Sequence, residues 1–125
     1  MENYFVTFDQ SVALKEIGFD EPCFGYFHLD NGTTYKPYRT FNLGNHNMSN
    51  FCISRPLIGQ VFKWLRDKYS LHHVIHQFDW KKDTDEEYLA EVNFTDDGFS
   101  YFRTYEEAEF FCIDKLIEIV KNKKS

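Results

Sequence analysis

The segment Thr104–Asn122 constrains the fold more than any other part of this chain. Thr104 is a favoured helix cap, and at about 100° per residue the apolar side chains that follow form two stripes covering roughly 200° of a helix. The first stripe is Ala108, Cys112, Leu116 and Ile119, and the second is Phe110, Ile113, Ile117 and Val120. One stripe is enough to cover a four-stranded sheet. The second must meet another helix or another chain, so this segment predicts a layered α+β fold.

The rest of the chain supplies the other elements of such a fold. Thr7 and Gln10 have capping-box spacing, and Gly18 suits the residue after a helix. Asp30-Asn31-Gly32 is a hairpin turn signal, and Pro37 belongs at a sheet edge or a strand end. Ser54 is predicted to cap the middle helix. The patterns predict helices at 8–17, 57–69 and from Thr104, with strands at 23–29, 33–38, 70–78, 88–94 and 99–103.

This order is α-β-β-α-β-β-(β)-α. The simplest arrangement is one antiparallel sheet of four to five strands, with three helices mainly on one face. The 125 residues are predicted to form a single domain. The other face of the sheet would be partly solvated or would dock onto something, including a second copy of the chain.

Composition excludes several classes of protein. Aromatic residues make up 19% of the chain, which excludes a disordered protein. The net charge of −6 disfavours nonspecific binding to a phosphate backbone and suits a basic protein partner. Cys23, Cys52 and Cys112 are odd in number and lack CxxC spacing, which indicates a reducing compartment. With neither an export signal nor a long apolar run, a cytoplasmic location is expected.

Two polar segments and one tyrosine are the predicted contact surface. Residues 40–53 follow no period, carry four Asn and read as an irregular loop, and residues 79–87 form a mainly acidic loop. Aromatic side chains on a sheet are typical interface anchors, although they can equally fill a Phe-rich core. The candidate partner-binding residues are Tyr38, Asn45, His46, Asn47, Trp80, Asp83, Asp85 and Glu86.

Metal and thiol chemistry are the weaker candidates. His72, His76 and Asp79 would need a helix to share an ion, whereas their segment reads as a strand with the two histidines about 13 Å apart. Cys52 with His46 is the thiol–histidine pairing considered for nucleophilic catalysis. Since no GxGxxG, P-loop, GxSxG or HExxH pattern occurs, no catalytic residue and no cofactor are predicted.

Three segments, in this order, resemble a family of small proteins encoded by bacteriophages and prophages of Bacteroidota. The pattern consists of GFDEPC at 18–23 leading into an aromatic strand, WLR at 64–66, and a closing helix that runs from YEEAE at 105–109 to KLIEI at 115–119. The resemblance spans nearly the whole chain. It implies a viral accessory protein that acts inside a bacterial cell, and it implies no particular activity.

Together these features predict a non-enzymatic accessory protein that binds a host or viral protein. Inhibition of a host defence system is one form that this function would take. Two alternatives stay open. The first is a small metal- or thiol-dependent enzyme that uses the residues named above. The second is a single-stranded nucleic-acid-binding protein, whose exposed aromatic rings would stack on bases.

Overall fold

A computed structural model describes residues 4–30, 34–77, 88–93 and 98–124. Within these ranges the predicted α+β class and the predicted order of the helices are confirmed, with one additional strand before the middle helix. The elements are α1 (Phe8–Glu16), β1 (Cys23–Asp30), β2 (Thr34–Gly44), β3 (Cys52–Arg55), α2 (Ile58–Tyr69), β4 (His73–Gln77), β5 (Tyr88–Val92), β6 (Phe99–Phe102) and α3 (Tyr105–Lys124).

The prediction of one sheet was wrong. In the described part of the chain the strands form two antiparallel sheets, in the orders β2-β1-β3 and β4-β5-β6. The chain divides into two compact units, residues 1–61 and 62–125, and each sheet lies in one of them. The unpredicted β3 takes the free side of β1, with Phe27 opposite Ile53. The three helices therefore do not share one face of a single sheet.

The first unit is built around β1. The predicted capping box of α1 is present, since Thr7 Oγ1 accepts a hydrogen bond from the Gln10 amide at 3.1 Å. Gly18 follows α1 with a φ of 91°, as the sequence predicted. A Cβ atom on Gly25 would lie 2.5 Å from the Arg55 carbonyl oxygen, so only glycine lets β3 approach this closely. The buried apolar side chains include Val6, Leu14, Ile17, Phe19, Cys23, Phe27 and Ile53.

Pro37 lies in an edge strand, as predicted. The Leu29 amide donates to the Phe51 carbonyl at 2.9 Å, so by alternation the backbone polar groups of Phe27 also point toward β3. Phe27 is the partner of Pro37 on its other side. The nitrogen of Pro37 therefore points to the free edge of β2, where no ladder hydrogen bond is lost and a further strand cannot pair.

Two predictions about residues 40–54 were wrong. The segment 40–53 is not irregular throughout, because β2 continues to Gly44, which pairs with Cys23, and β3 begins at Cys52. Ser54 does not cap a helix, because it lies within β3 and is fully buried. The first turn of α2 is instead held by the Val61 amide, which donates to the Leu57 carbonyl.

The second unit places α3 against the sheet of β4, β5 and β6. Tyr88, Ala90 and Val92 share one face of β5, as predicted, and Ala90 and Val92 are buried. The Phe102 and Phe111 rings lie 5.2 Å apart, which joins β6 to the helix. Both predicted stripes of α3 contribute buried side chains, namely Ala108, Cys112, Leu116, Ile113, Ile117 and Val120.

The middle helix ends without glycine. Ser70 takes a φ of 56°, its amide donates to Arg66, and the Leu71 amide donates to Leu65. The bond from Ser70 to Arg66 is that of the αL motif, and the Leu71 side chain that follows is buried. Among the described helices, none is long and apolar enough to cross a membrane.

Candidate partner-binding surface

One face of the first sheet carries polar and aromatic side chains. Tyr26, His28 and Asp30 alternate along β1, so they point to the same side of the sheet. Phe27 lies between them, points to the opposite side and is buried, with its ring 5.0 Å from that of Phe8 on α1. Tyr26, His28 and Asp30 therefore line the face that is turned away from α1, which we call the outer face.

Three rings form a row on this outer face. The Tyr38 and Tyr26 rings are stacked with centroids 5.6 Å apart, and the Tyr26 and His46 rings are stacked at 4.3 Å. We call these three residues the aromatic row. Because the rings already cover one another's faces, the row presents mainly edges. This arrangement does not favour the insertion of nucleic-acid bases between the rings.

A carboxylate fixes one end of the row. The Tyr38 hydroxyl donates to Asp30 Oδ2 at 2.8 Å, and His28 Nδ1 lies 3.1 Å from Asp30 Oδ1. The bond from Tyr38, followed by that from His28, lowers the pKa of Asp30 below its ordinary value. The same bond raises the pKa of Tyr38. Asp30 thus stays ionised at neutral pH and holds both rings in place.

Residues 45–51, which we call the Asn loop, are held by their own side chains. The Asn47 side chain bridges two segments, because its Oδ1 accepts from the Ser54 amide at 2.8 Å and its Nδ2 donates to Phe19 at 2.9 Å. The His46 amide donates to Ser54 Oγ at 3.0 Å, and Asn45 Oδ1 accepts from the Asn47 amide at 3.1 Å. The predicted binding residues Asn45, His46 and Asn47 therefore use these polar groups to order the loop.

The loop is also tied to α1 from the other side. Lys15 Nζ donates to the carbonyl oxygens of Ser49, at 3.0 Å, and of Cys52, at 2.8 Å. Within this anchored segment two large apolar side chains are exposed, Met48 by 84% and Phe51 by 61%. Sequence reasoning missed both, although apolar residues inside an Asn-rich loop were a signal that could have identified them.

The remaining predicted residues fall into two groups. Trp80, Asp83, Asp85, Glu86 and the metal candidate Asp79 lie outside the described residues. His72 precedes β4, and His76 Nε2 lies 3.3 Å from Glu91 Oε2 across the second sheet. Within the described ranges no group of three or more His, Cys, Asp or Glu residues is placed to hold a metal ion.

The structure does not pair Cys52 with His46. The His46 ring stacks on Tyr26, and its Nε2 lies 3.2 Å from the Cys23 carbonyl oxygen. Cys52 is instead directly opposite His28 in the register of β1 and β3. Burial raises the pKa of the other two thiols, that of Cys23 in β1 and that of Cys112 in α3, the latter to about 12.

The second sheet also has an outer face, turned away from α3. Phe99 and Tyr101 of β6 are exposed there by 49% and 48%, opposite Glu91 and Leu89 of β5. This face carries the His76–Glu91 pair. No protein-family model, curated protein or solved structure matches the chain, so the geometry of these two surfaces carries the functional argument.

Proposed function

We propose that this chain is a non-enzymatic binding protein that docks a protein partner through the Asn loop and the adjacent aromatic row. The observation that carries the proposal is the exposure of Met48 and Phe51 on a loop anchored by side-chain hydrogen bonds. Neither side chain stabilises the isolated chain much while it faces solvent. Burial against a partner would gain about 1.5–3 kcal/mol for each side chain.

The rigidity of the loop makes this gain effective. A flexible loop loses conformational freedom on binding, which offsets part of the contact energy. Asn47 and Lys15 already hold the Asn loop to the Phe19 carbonyl and to β3, so most of that ordering occurs when the chain folds. Exposed apolar side chains on an ordered segment are typical anchors of protein interfaces.

The partner is a host or viral protein in the bacterial cytoplasm. The resemblance to phage and prophage proteins supports this setting. The net charge of −6 favours a partner with a basic surface, because opposite charges increase the association rate. Inhibition of a host defence protein is a form of accessory function that suits a small binding protein.

The test compares two matched double variants as baits in lysate from phage-infected Bacteroidota cells. The first, Met48→Ser with Phe51→Ser, removes the loop anchors. The control, Phe99→Ser with Tyr101→Ser, removes two exposed aromatic side chains from the other sheet. Quantitative mass spectrometry of captured proteins should show a stoichiometric partner with the wild type and the control, and its loss with the loop variant.

Two results would contradict the proposal. One is the absence of any stoichiometric partner with the wild-type chain. The other is equal capture by the loop variant, which would place the contact elsewhere. Thermal unfolding of both variants should show near-wild-type stability, because all four substituted side chains are exposed.

A further inference from the structure

Cys52 and His28 are neighbours across two strands. His28 lies directly opposite Cys52, and the next pair along, Leu29 and Phe51, is joined by a hydrogen bond from the Leu29 amide. Since bonded and non-bonded pairs alternate in an antiparallel ladder, His28 and Cys52 form a non-bonded pair. Side chains of such a pair share a face and have Cβ atoms about 4.5–5.5 Å apart. The thiol and the imidazole therefore lie on the same outer face, at adjacent positions of neighbouring strands.

The imidazole is oriented by a carboxylate on its other side. His28 Nδ1 lies 3.1 Å from Asp30 Oδ1, and the Tyr38 hydroxyl fixes Asp30 Oδ2. With Nδ1 toward Asp30, Nε2 is the ring nitrogen left to accept a proton. A nucleophile, a base and a group that orients the base are the three parts of an activated thiol.

Cys52 also differs from the other two cysteines in accessibility. Cys23 and Cys112 are buried, whereas Cys52 is partly exposed. Its backbone is held in place, because Lys15 Nζ donates to the Cys52 carbonyl oxygen at 2.8 Å. A thiol must be both reachable and beside a base to react quickly. Of the three, only Cys52 meets both conditions.

We infer that Cys52 is a nucleophilic thiol activated by His28 and positioned with the help of Asp30, and that it is a modification site for small disulfides. The thiol proton passes to His28 Nε2, and the Cys52 sulfur attacks one sulfur of the disulfide. A new S–S bond to Cys52 forms while the original S–S bond breaks. The departing thiolate takes the proton from His28, so that one small thiol is released for each mixed disulfide formed.

Other charged and titratable groups lie near this pair. Lys36 lies opposite His28 on β2, and Lys15 reaches the Cys52 backbone from α1. Asp30 of β1 is the carboxylate that holds His28 Nδ1. Tyr38 of β2 lies beside the His28 ring, with centroids 6.2 Å apart.

The experiment measures the rate at which each cysteine reacts with dithiodipyridine at neutral pH, and its mixed-disulfide formation with glutathione disulfide by intact-protein mass spectrometry. One fast equivalent should appear, and Cys52→Ser should abolish it. His28→Gln should slow it about tenfold, close to the rate of an ordinary thiol. His76→Gln is the matched control, because it removes a histidine that is also paired with a carboxylate but lies on the other sheet.

The pH profile separates activation from simple exposure. An ordinary thiol reacts faster with each increase in pH, whereas the rate of a thiol activated by a neighbouring base should depend less on pH. The same chain unfolded in guanidinium provides the ordinary profile, even if His28→Gln fails to fold. The inference is overturned if native Cys52 follows the unfolded profile, or if a folded His28→Gln variant reacts as the wild type does. Neither outcome depends on the proposed partner.

Discussion

The two sheets have the same architecture, but the side chains on their outer faces are held in place differently. Each has three antiparallel strands, and each packs a helix against one side. On the first sheet, the outer face carries stacked rings, the Asp30 hydrogen bonds and the anchored Asn loop. On the second, the outer face leaves Phe99 and Tyr101 exposed beside one histidine–carboxylate pair.

This difference shows that exposed aromatic side chains in one small protein can be fixed in place to different degrees. On the first outer face, polar groups form hydrogen bonds that hold the side chains in place. A preorganised contact surface requires this kind of order. On the second outer face a histidine–carboxylate pair joins β4 to β5, and α3 supports the sheet from behind. Breaking either arrangement should therefore have different consequences.

The largest effect should come from the helix that supports the second sheet. Leu116 is fully buried on α3, so Leu116→Ala leaves a cavity and should lower the free energy of unfolding by about 3 kcal/mol. Chemical denaturation measures this value. Leu116→Met conserves volume and should lose less than about 1.5 kcal/mol. Equal losses from the two variants would show that α3 does not pack the sheet as tightly as its burial indicates.

The next effect tests how the first outer face is held. Asn47→Ala removes the acceptor of the Ser54 amide and the donor to Phe19, and Ser54 is buried. A buried amide left without a partner costs about 1–3 kcal/mol, so a loss of about 2 kcal/mol is expected.

Hydrogen exchange of the Ser54 amide should accelerate in the same variant. Asn45→Ala is the control, because its side chain satisfies only one amide, that of Asn47 in the partly buried loop. It should cost about 1 kcal/mol or less. A loss from Asn45→Ala as large as that from Asn47→Ala would mean that the bridge to Ser54 is not what fixes the loop.

A smaller effect should appear as a dependence on pH. The His73 ring stacks on Phe62 with centroids 3.6 Å apart, and burial, followed by Arg66 and His72, lowers the pKa of His73 below its ordinary 6.5. The unfolded chain then binds a proton more readily than the folded one. The stability that His73 contributes is fully present above pH 6.5 and is lost as the pH falls through its folded-state pKa.

His73→Phe keeps a ring on Phe62 and removes the titration. The loss of stability on lowering the pH from 7.5 to about 5 should therefore be smaller in this variant than in the wild type. Urea denaturation at several pH values gives the free energy of unfolding of each protein as a function of pH. If both proteins lose the same stability on lowering the pH, groups other than His73 cause the loss.

Local patterns were enough to predict most elements, because each depends on residues close together in the sequence. The capping box of α1, the periodicity of α3 and the alternation of β5 are of this kind. The second sheet and β3 were missed because strand partners are chosen between distant segments. The pairing of His28 with Cys52 and the bond from Asn47 to Phe19 join residues that are far apart in the sequence. No local pattern predicts either of them.

The smallest effect should come from the second outer face, and it is the sharpest test of the contrast between the sheets. Phe99→Ser with Tyr101→Ser should change the free energy of unfolding by about 0.5 kcal/mol for each residue, since both positions are exposed and lie outside the buried core. Chemical denaturation with unchanged slope would confirm it. A loss of several kcal/mol that depends on protein concentration would instead show that this face is covered by a second copy of the chain, because only association makes stability concentration-dependent. In that case the exposed rings of the second sheet would be an interface, and the Asn loop would remain the surface that is preorganised yet still open.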